Sequence, residues 1–386
     1  MSAGLEVRGN SMRIWIRHNP AEPLIKETLK WPVTPDNVQK AEKLANLIKL
    51  EIEMGTFDLV RHFPESKHIK LNQMSYYAEV WKLLIEKDVS PNTFTIYSGQ
   101  VDFHIIPYWG KTHPKDIDTK SIKKWIHKLR ETLNGNTIRE IVNRLGQIHA
   151  MWRNDNRISY NPFENIVIQQ ADGPEPDPFT KIEISRILQS KAIREMENMF
   201  PCLLWTGLSI SEQIPIAWED IDRENGKICI SRSYVRGVFR VTKNRRRKRQ
   251  IKLLEPAWEA LKKQYHFTGK KKPRSVMVLQ RDNHTYKEEK LRFVWINPET
   301  SSNYEYPALR YRWDRHLKKA NVRGRGINQG RHTFASQLLS SGQVPPEWIA
   351  DQLGHTDTTM IYRHYGKLIS EDMPDYLSRI NNYIAQ

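Results

Sequence analysis

Gly330-Arg331-His332-Thr333-Phe334-Ala335-Ser336, then Leu353-Gly354-His355, then Arg363-His364-Tyr365-Gly366, decide how the rest of this 386-residue chain is read. Within 35 residues, from position 331 to position 365, they set out an arginine, a histidine and a tyrosine in that order. Arginine offers a planar fork of donors to phosphate oxygens, histidine a further donor, and tyrosine a hydroxyl that can become covalently attached to phosphorus. Together these side chains suit attack on a phosphodiester. His355 taken alone reads as a structural residue, and Tyr365 as a packed helical aromatic, since Tyr362 lies three positions earlier on nearly the same face. The order of the three in a strongly basic chain is what favours the chemical reading.

That basic character is marked. Lys and Arg total 61 against 44 Asp and Glu, a net charge of +17, which predicts attraction to a polyanion, with double-stranded DNA the leading class. The length exceeds one ordinary domain and fits two or three. Hydrophobic residues make up 39% of the chain, enough for real cores and too many for wholesale disorder. Cys202 and Cys229 are the only cysteines, which excludes a disulfide framework or a Cys-rich zinc site, and neither a metal nor a cofactor is expected. The opening Met1-Ser2-Ala3-Gly4-Leu5-Glu6 lacks the basic region and apolar run of a signal peptide. No apolar segment approaches the ~18 residues of a membrane span. The expected location is the cytoplasm, on DNA, with no membrane partner.

Outward from the deciding stretch, three regions are predicted. Residues 1–66 open with a hairpin signal at Gly9-Asn10, and Met12, Ile14 and Ile16 alternate with Arg13, Trp15 and Arg17. A small sheet is expected there, followed by a helix from about Thr34 to Met54, with Pro35 at its start and Gly55 at its end. Residues 68–170 read as helices, with Tyr77, Val80, Trp81, Leu84 and Ile85 at helical spacing, and likewise Ile138, Ile141, Val142, Leu145 and Ile148. Asp172-Gly173-Pro174-Glu175-Pro176-Asp177-Pro178 is a linker. Residues 179–386 are mainly helical, with a short meander near 227–254. At the end, Met373, Tyr376, Leu377, Ile380, Tyr383 and Ile384 outline an amphipathic helix suited to docking, on its own domain or on a neighbour. The fold class expected is multidomain, mainly α with small β sheets.

The third region resembles the catalytic domain of the tyrosine recombinases, the phage integrase family. Trp205-Thr206-Gly207-Leu208-Ser209-Ile210-Ser211-Glu212 with Ile216-Ala217-Trp218-Glu219-Asp220-Ile221-Asp222 is similar to that family's first box. Gly330 to Ser336 resembles the second box, and Leu353-Gly354-His355 through Arg363-His364-Tyr365-Gly366-Lys367-Leu368 the third. Residues 68–170 resemble the helical core-binding domain, and residues 1–66 the arm-type DNA-binding domain of prophage integrases. The resemblance implies an α+β catalytic domain in which a tyrosine attacks the scissile phosphate, leaving a 3′-phosphotyrosine and a free 5′ hydroxyl. No ATP or metal is then needed, because the bond energy is kept. It implies Tyr365 as nucleophile, ten residues after His355, with Arg331 and His355 on the phosphate and Lys243 as general acid. Arg245, Arg246, Arg247, Lys248 and Arg249 follow that lysine and are expected to lie over DNA. It further implies site-specific recombination that integrates or excises a phage or mobile element, with a homo-oligomer, a tetramer, assembled on attachment sites. Accessory DNA-bending or excision factors would act beside it.

Two positions depart from the pattern. Ser209 stands where the family has its first catalytic arginine, and Asn328 where it has histidine or lysine. A neutral hydroxyl cannot replace a bidentate guanidinium, whereas an amide can still donate to phosphate. Glu212 matches the family's acidic support residue. Two readings therefore stay open: a working integrase in which another arginine fills the gap, or a recombinase-fold DNA-binding protein with weak or no catalysis.

Overall fold

The computed structural model describes residues 2–18, 24–66, 68, 73–169, 176–191, 196–242, 248–365, 381 and 384. It divides into two compact units, one formed by residues 1–86 and 94–171 and the other by residues 87–93 and 172–386. Among the described residues the architecture is mainly helical with three small sheets.

The first unit begins with an antiparallel sheet of β1 (Ser2–Arg8), β2 (Ser11–Arg17) and β3 (Ile25–Leu29), in that order. Gly9 and Asn10 form the two-residue turn, with Arg8 opposite Ser11 and Gly9 at φ +54°. The alternation in β2 works as expected: Met12, Ile14 and Ile16 are fully buried. Helix α1 (Pro35–Glu53) covers the sheet with Ala41, Ala45, Ile48 and Ile52. Its start is fixed by Thr34, whose side chain accepts from Asn37 N, and by Pro35 in the first turn. A short α2 (Leu59–His62) follows.

The helices of the same unit are α3 (Met74–Ile85), α4 (Pro91–Gln100) from residue 94 onward, a π-helical turn at Val101–Ile105, α5 (Ile106–Trp109), α6 (Thr119–Leu129) and α7 (Gly135–Asp155). Their core takes Ile138, Ile141, Val142, Leu145 and Ile148 from α7, the set that periodicity predicts. On α3 the buried stripe runs through Met74, Tyr77, Ala78 and Trp81, which leaves Leu84 60% exposed, contrary to expectation. The stripe starts at Met74, before the first aromatic, so Leu84 falls off its edge.

Two histidines make this unit sensitive to acid. His149 is buried with Nε2 3.0 Å from Pro114 O, and burial pushes its pKa down to about 4. Burial, then the charge of Lys115, pushes His113 down to about 4 as well. The unfolded chain takes up these protons near the ordinary histidine value of ~6.5, while the folded chain resists until about 4. Both histidines therefore cost nothing above pH ~6.5 and an increasing amount as pH falls through that window. The thermal midpoint of the full chain should fall between pH 7 and pH 5, with a shallower slope in His149→Gln. Equal slopes would contradict the assignment.

The second unit contains α8 (Lys181–Gln189), α9 (Met199–Trp205) and α10 (Ile210–Gln213), then a strand-rich interval. That interval differs from the expected single meander. Strands β4 (Ile221–Asp222), β5 (Lys227–Ile230) and β8 (Arg249–Lys252) make one antiparallel sheet, in the order β4-β5-β8. Strands β6 (Arg232–Val235) and β7 (Val238–Val241) join β9 (Arg274–Leu279) and β10 (Tyr286–Leu291) in another, in the order β10-β9-β7-β6. The reason is local: Ser231 alone separates β5 from β6, too little for a hairpin, so the chain changes sheets there. Between β6 and β7, Arg236 at φ 49° and Gly237 at φ 80° make a two-residue turn with both residues left-handed.

Helices α11 (Glu255–Thr268) and α12 (Tyr306–Lys319) complete the larger core, centred on Trp295, Trp313, Tyr304 and Phe179. A smaller core joins α13 (Gln329–Ser341), α14 (Pro346–Leu353) and α15 (Thr359–Tyr365) through Phe334, Ala335, Ile349, Leu353, Ile361 and Tyr365. The expected tail helix lies outside the described residues except for Asn381 and Ile384, both helical. Among the described residues, no helix is long and apolar enough to cross a membrane.

Candidate active site

Arg331 sits in the first turn of α13, one turn before Phe334 and Ala335, and its guanidinium is the hub of the site. Nη1 donates to Gly207 O at 2.8 Å, and Nη2 donates to Leu353 O at 2.7 Å. Nη2 also lies 2.9 Å from His355 Nε2, and Nε makes a long 3.4 Å contact with Tyr365 Oη. One side chain thus draws together the three sequence boxes. A guanidinium only donates, so His355 Nε2 is the acceptor in this pair and the ring carries its proton on Nδ1.

Two glycines shape the surroundings. Helix α14 ends at Gly354, whose left-handed φ of 72° reverses the chain and directs His355 toward Arg331. Gly207, at φ 67°, turns the chain between α9 and α10 so that its carbonyl reaches the same guanidinium. A Cβ at Gly207 would come within 2.6 Å of Phe334 Cδ1 and 2.8 Å of Leu353 Cδ2. Gly207→Ala combines that clash with a left-handed backbone costing about 1–2 kcal/mol. It should lower the thermal midpoint of the protein by several degrees, and an unchanged midpoint would refute the packing described.

Tyr365 ends α15 and is 4% exposed, its ring centroid 5.0 Å from that of His332 and 5.7 Å from that of His355. Tyr362 is 59% exposed. Geometry thus separates the two tyrosines that sequence spacing alone leaves close together.

The two departures are built into the frame. Ser209 caps α10, and its Oγ donates to Glu212 Oε2 at 3.0 Å while Glu212 Oε2 accepts from Ser209 N at 3.1 Å. Asn328 Oδ1 accepts from Ile210 N at 3.1 Å, so it ties the start of α13 to the start of α10. Glu212 is buried and lies 3.5 Å from Arg331 Nη1. Burial alone would raise its carboxyl, but Arg249 and then Arg331 overcome this and bring it down to about 2.

Arg249 corrects the reading of a five-residue basic run over DNA. It lies on β8 with its side chain buried against Glu212, because alternation along that strand turns positions 249 and 251 inward and leaves Lys248 exposed. Burial against a carboxylate could not be read from a cluster of like charges. The other members of the run, Arg245, Arg246 and Arg247, lie outside the described residues, as does Lys243. Sequence reasoning also passes over Gln352, whose backbone carbonyl accepts from Arg249 Nε and whose side chain accepts from Lys252 N. No motif signal marks it. Among the described residues, no group of three or more His, Cys, Asp or Glu side chains is placed to hold a metal ion.

Comparisons with known proteins agree along the chain. The family model described as phage integrase family matches residues 179–370, the arm DNA-binding domain residues 2–67, and the N-terminal SAM-like domain of phage integrases residues 74–130. Prophage integrase IntR of Escherichia coli K12 is 29% identical, covering 99% of this chain and 98% of that protein. The putative defective protein IntQ of the same strain is 25% identical over 89% of this chain and 93% of that protein. Among solved structures, the Tn1549 transposon integrase in complex with a circular intermediate DNA aligns with a TM-score of 0.64 at 19% identity. That alignment covers 80% of this chain and 99% of the other. A lambda integrase dimer bound to a COC′ core site aligns at 0.58 and 14%, covering 94% of each chain. At such identities the structural likeness speaks for the fold.

Proposed function

Because the chain belongs to the phage integrase family and is a site-specific DNA recombinase, we propose that Tyr365 is the residue with which it cuts and rejoins DNA. The tyrosine oxygen forms a bond to the scissile phosphorus as the bond to the 5′ oxygen breaks. The tyrosine gives its proton up to solvent, and the ammonium of Lys243 supplies one to the leaving oxygen. Rejoining is the reverse, with the 5′ hydroxyl of another strand as attacker. Arg331 stabilises the charge that builds on the phosphate oxygens, and His355 adds a donor once its Nε2, released from Arg331, takes up a proton and turns to phosphate. The observation that carries this reading is the convergence of His355 Nε2 and Tyr365 Oη on one guanidinium, at 2.9 and 3.4 Å.

In this reading residues 1–66 bind arm-type DNA sites, residues 68–170 grip the core site, and residues 179–386 hold the catalytic machinery. Double-stranded DNA is the partner. The working form is a tetramer on paired attachment sites, held by the C-terminal tail, and accessory bending or excision factors set direction. The protein works on DNA in the cytoplasm. The competing reading, DNA binding without cleavage, draws on Ser209, whose hydroxyl is turned onto Glu212. A nicked attachment-site duplex separates the two. Cleavage on such a substrate loses its short 5′-hydroxyl product and traps the enzyme, so a denaturant-resistant protein–DNA band is expected. Tight binding without that band would establish the non-catalytic reading.

A further inference from the structure

Strand β8 brings a second guanidinium to the site from outside the three boxes. Arg249 is 9% exposed, with Nη1 3.0 Å from Glu212 Oε1 and Nη2 3.4 Å from Glu212 Oε2. Its Nε donates to Gln352 O at 2.8 Å. Gly354 folds over it so closely that a Cβ there would lie 3.0 Å from both Cδ and Nη1 of the arginine. Oε2 of the same carboxylate also lies 3.5 Å from Arg331 Nη1. Two guanidiniums therefore bracket one carboxylate, and these three groups together leave one positive charge in surplus. Ser209 touches that carboxylate too, but contributes no charge.

We propose that Arg249 is the positioning residue that offsets the lack of an arginine at position 209: by holding Glu212, it leaves the charge of Arg331 to the scissile phosphate. The inference rests on the reading of Arg331 as the phosphate-binding arginine. Without Arg249, Glu212 and Arg331 form a closed, neutral pair, and an entering phosphodiester meets no net positive charge from them. Glu212 stays ionised at any working pH, its carboxyl held down to about 2 despite burial, so the compensation is always needed.

The test compares full-length wild type, Arg249→Gln and the double variant Arg249→Gln/Glu212→Gln. Each is assayed for single-turnover cleavage of nicked attachment-site DNA at saturating protein, alongside DNA affinity and thermal unfolding. Arg249→Gln should slow cleavage by roughly 10²–10³ with DNA affinity unchanged, the scale of losing one preorganised charge. Lowering the pH from 8 to 5.5 should narrow its deficit against wild type, because protonating Glu212, then held by Arg331 alone, releases that guanidinium. The double variant should recover most of the loss. A purely structural arginine would leave the deficit constant or larger in acid. Wild-type cleavage by Arg249→Gln, or a folded variant whose deficit neither acid nor the second substitution relieves, would overturn the inference. Should the single variant unfold, the double variant decides, since it strands no buried carboxylate: cleavage within about tenfold of wild type supports the inference, and none overturns it. A Tyr365→Phe control keeps the two questions apart. An adduct persisting in that control refutes the phosphate reading itself, whereas its loss there beside unimpaired Arg249→Gln refutes only the role of Arg249.

Discussion

Tyr365→Phe should eliminate the covalent protein–DNA band on a nicked attachment site while leaving DNA binding within about twofold of wild type. The substitution removes one oxygen from a buried ring whose neighbours, His332 and His355, are retained, so packing is barely disturbed. What is lost is the only atom able to form the phosphotyrosine bond, and no partial activity survives such a loss. The control is Tyr362→Phe. That ring is 59% exposed, whereas Tyr365 touches the Arg331 guanidinium, and loss of the Tyr362 hydroxyl should leave the band intact. A band that vanishes with Tyr362→Phe and persists with Tyr365→Phe would reverse the assignment.

Arg331→Lys should slow single-turnover cleavage by roughly 10²–10³ and also destabilise the protein. The charge survives, but an ammonium cannot serve Gly207 O, Leu353 O, His355 Nε2 and an incoming phosphate with the fixed fork of a guanidinium. At least one partly buried carbonyl loses its donor, a penalty of about 1–3 kcal/mol. Cleavage measured at saturating protein and well below the midpoint separates the chemical loss from the structural one. If cleavage stays within about threefold of wild type, Arg331 is a scaffold residue and another group holds the phosphate.

The fold was legible wherever local pattern and tertiary packing agreed. The alternation in β2 and the α7 stripe both predict the buried faces found, and Thr34-Pro35 marks the start of α1. It was illegible where a single residue decides between pairings. Ser231 moves the chain from one sheet to another, and no periodicity records that choice. In the site, Arg331, His355 and Tyr365 announce themselves by order and spacing, and the structure brings them together. Arg249 does not. It is the last of five consecutive basic residues, and only strand pairing with β5 reveals that it points inward. Gly207 and Gly354 are visible as letters, but their task of bringing two carbonyls and an imidazole onto one side chain is a tertiary fact.

The closeness of Tyr365 Oη to Arg331 of the same chain has a consequence for division of labour. With Tyr365 as the proposed nucleophile, helix α15 presents it to Arg331 of its own protomer, so this tyrosine and this arginine would act in cis. In the proposed assembly, the choice of strand to be cut would fall on which protomer is competent at a given moment. It does not depend on which two protomers meet to share one site. Neighbours would then time the reaction without lending it the tyrosine.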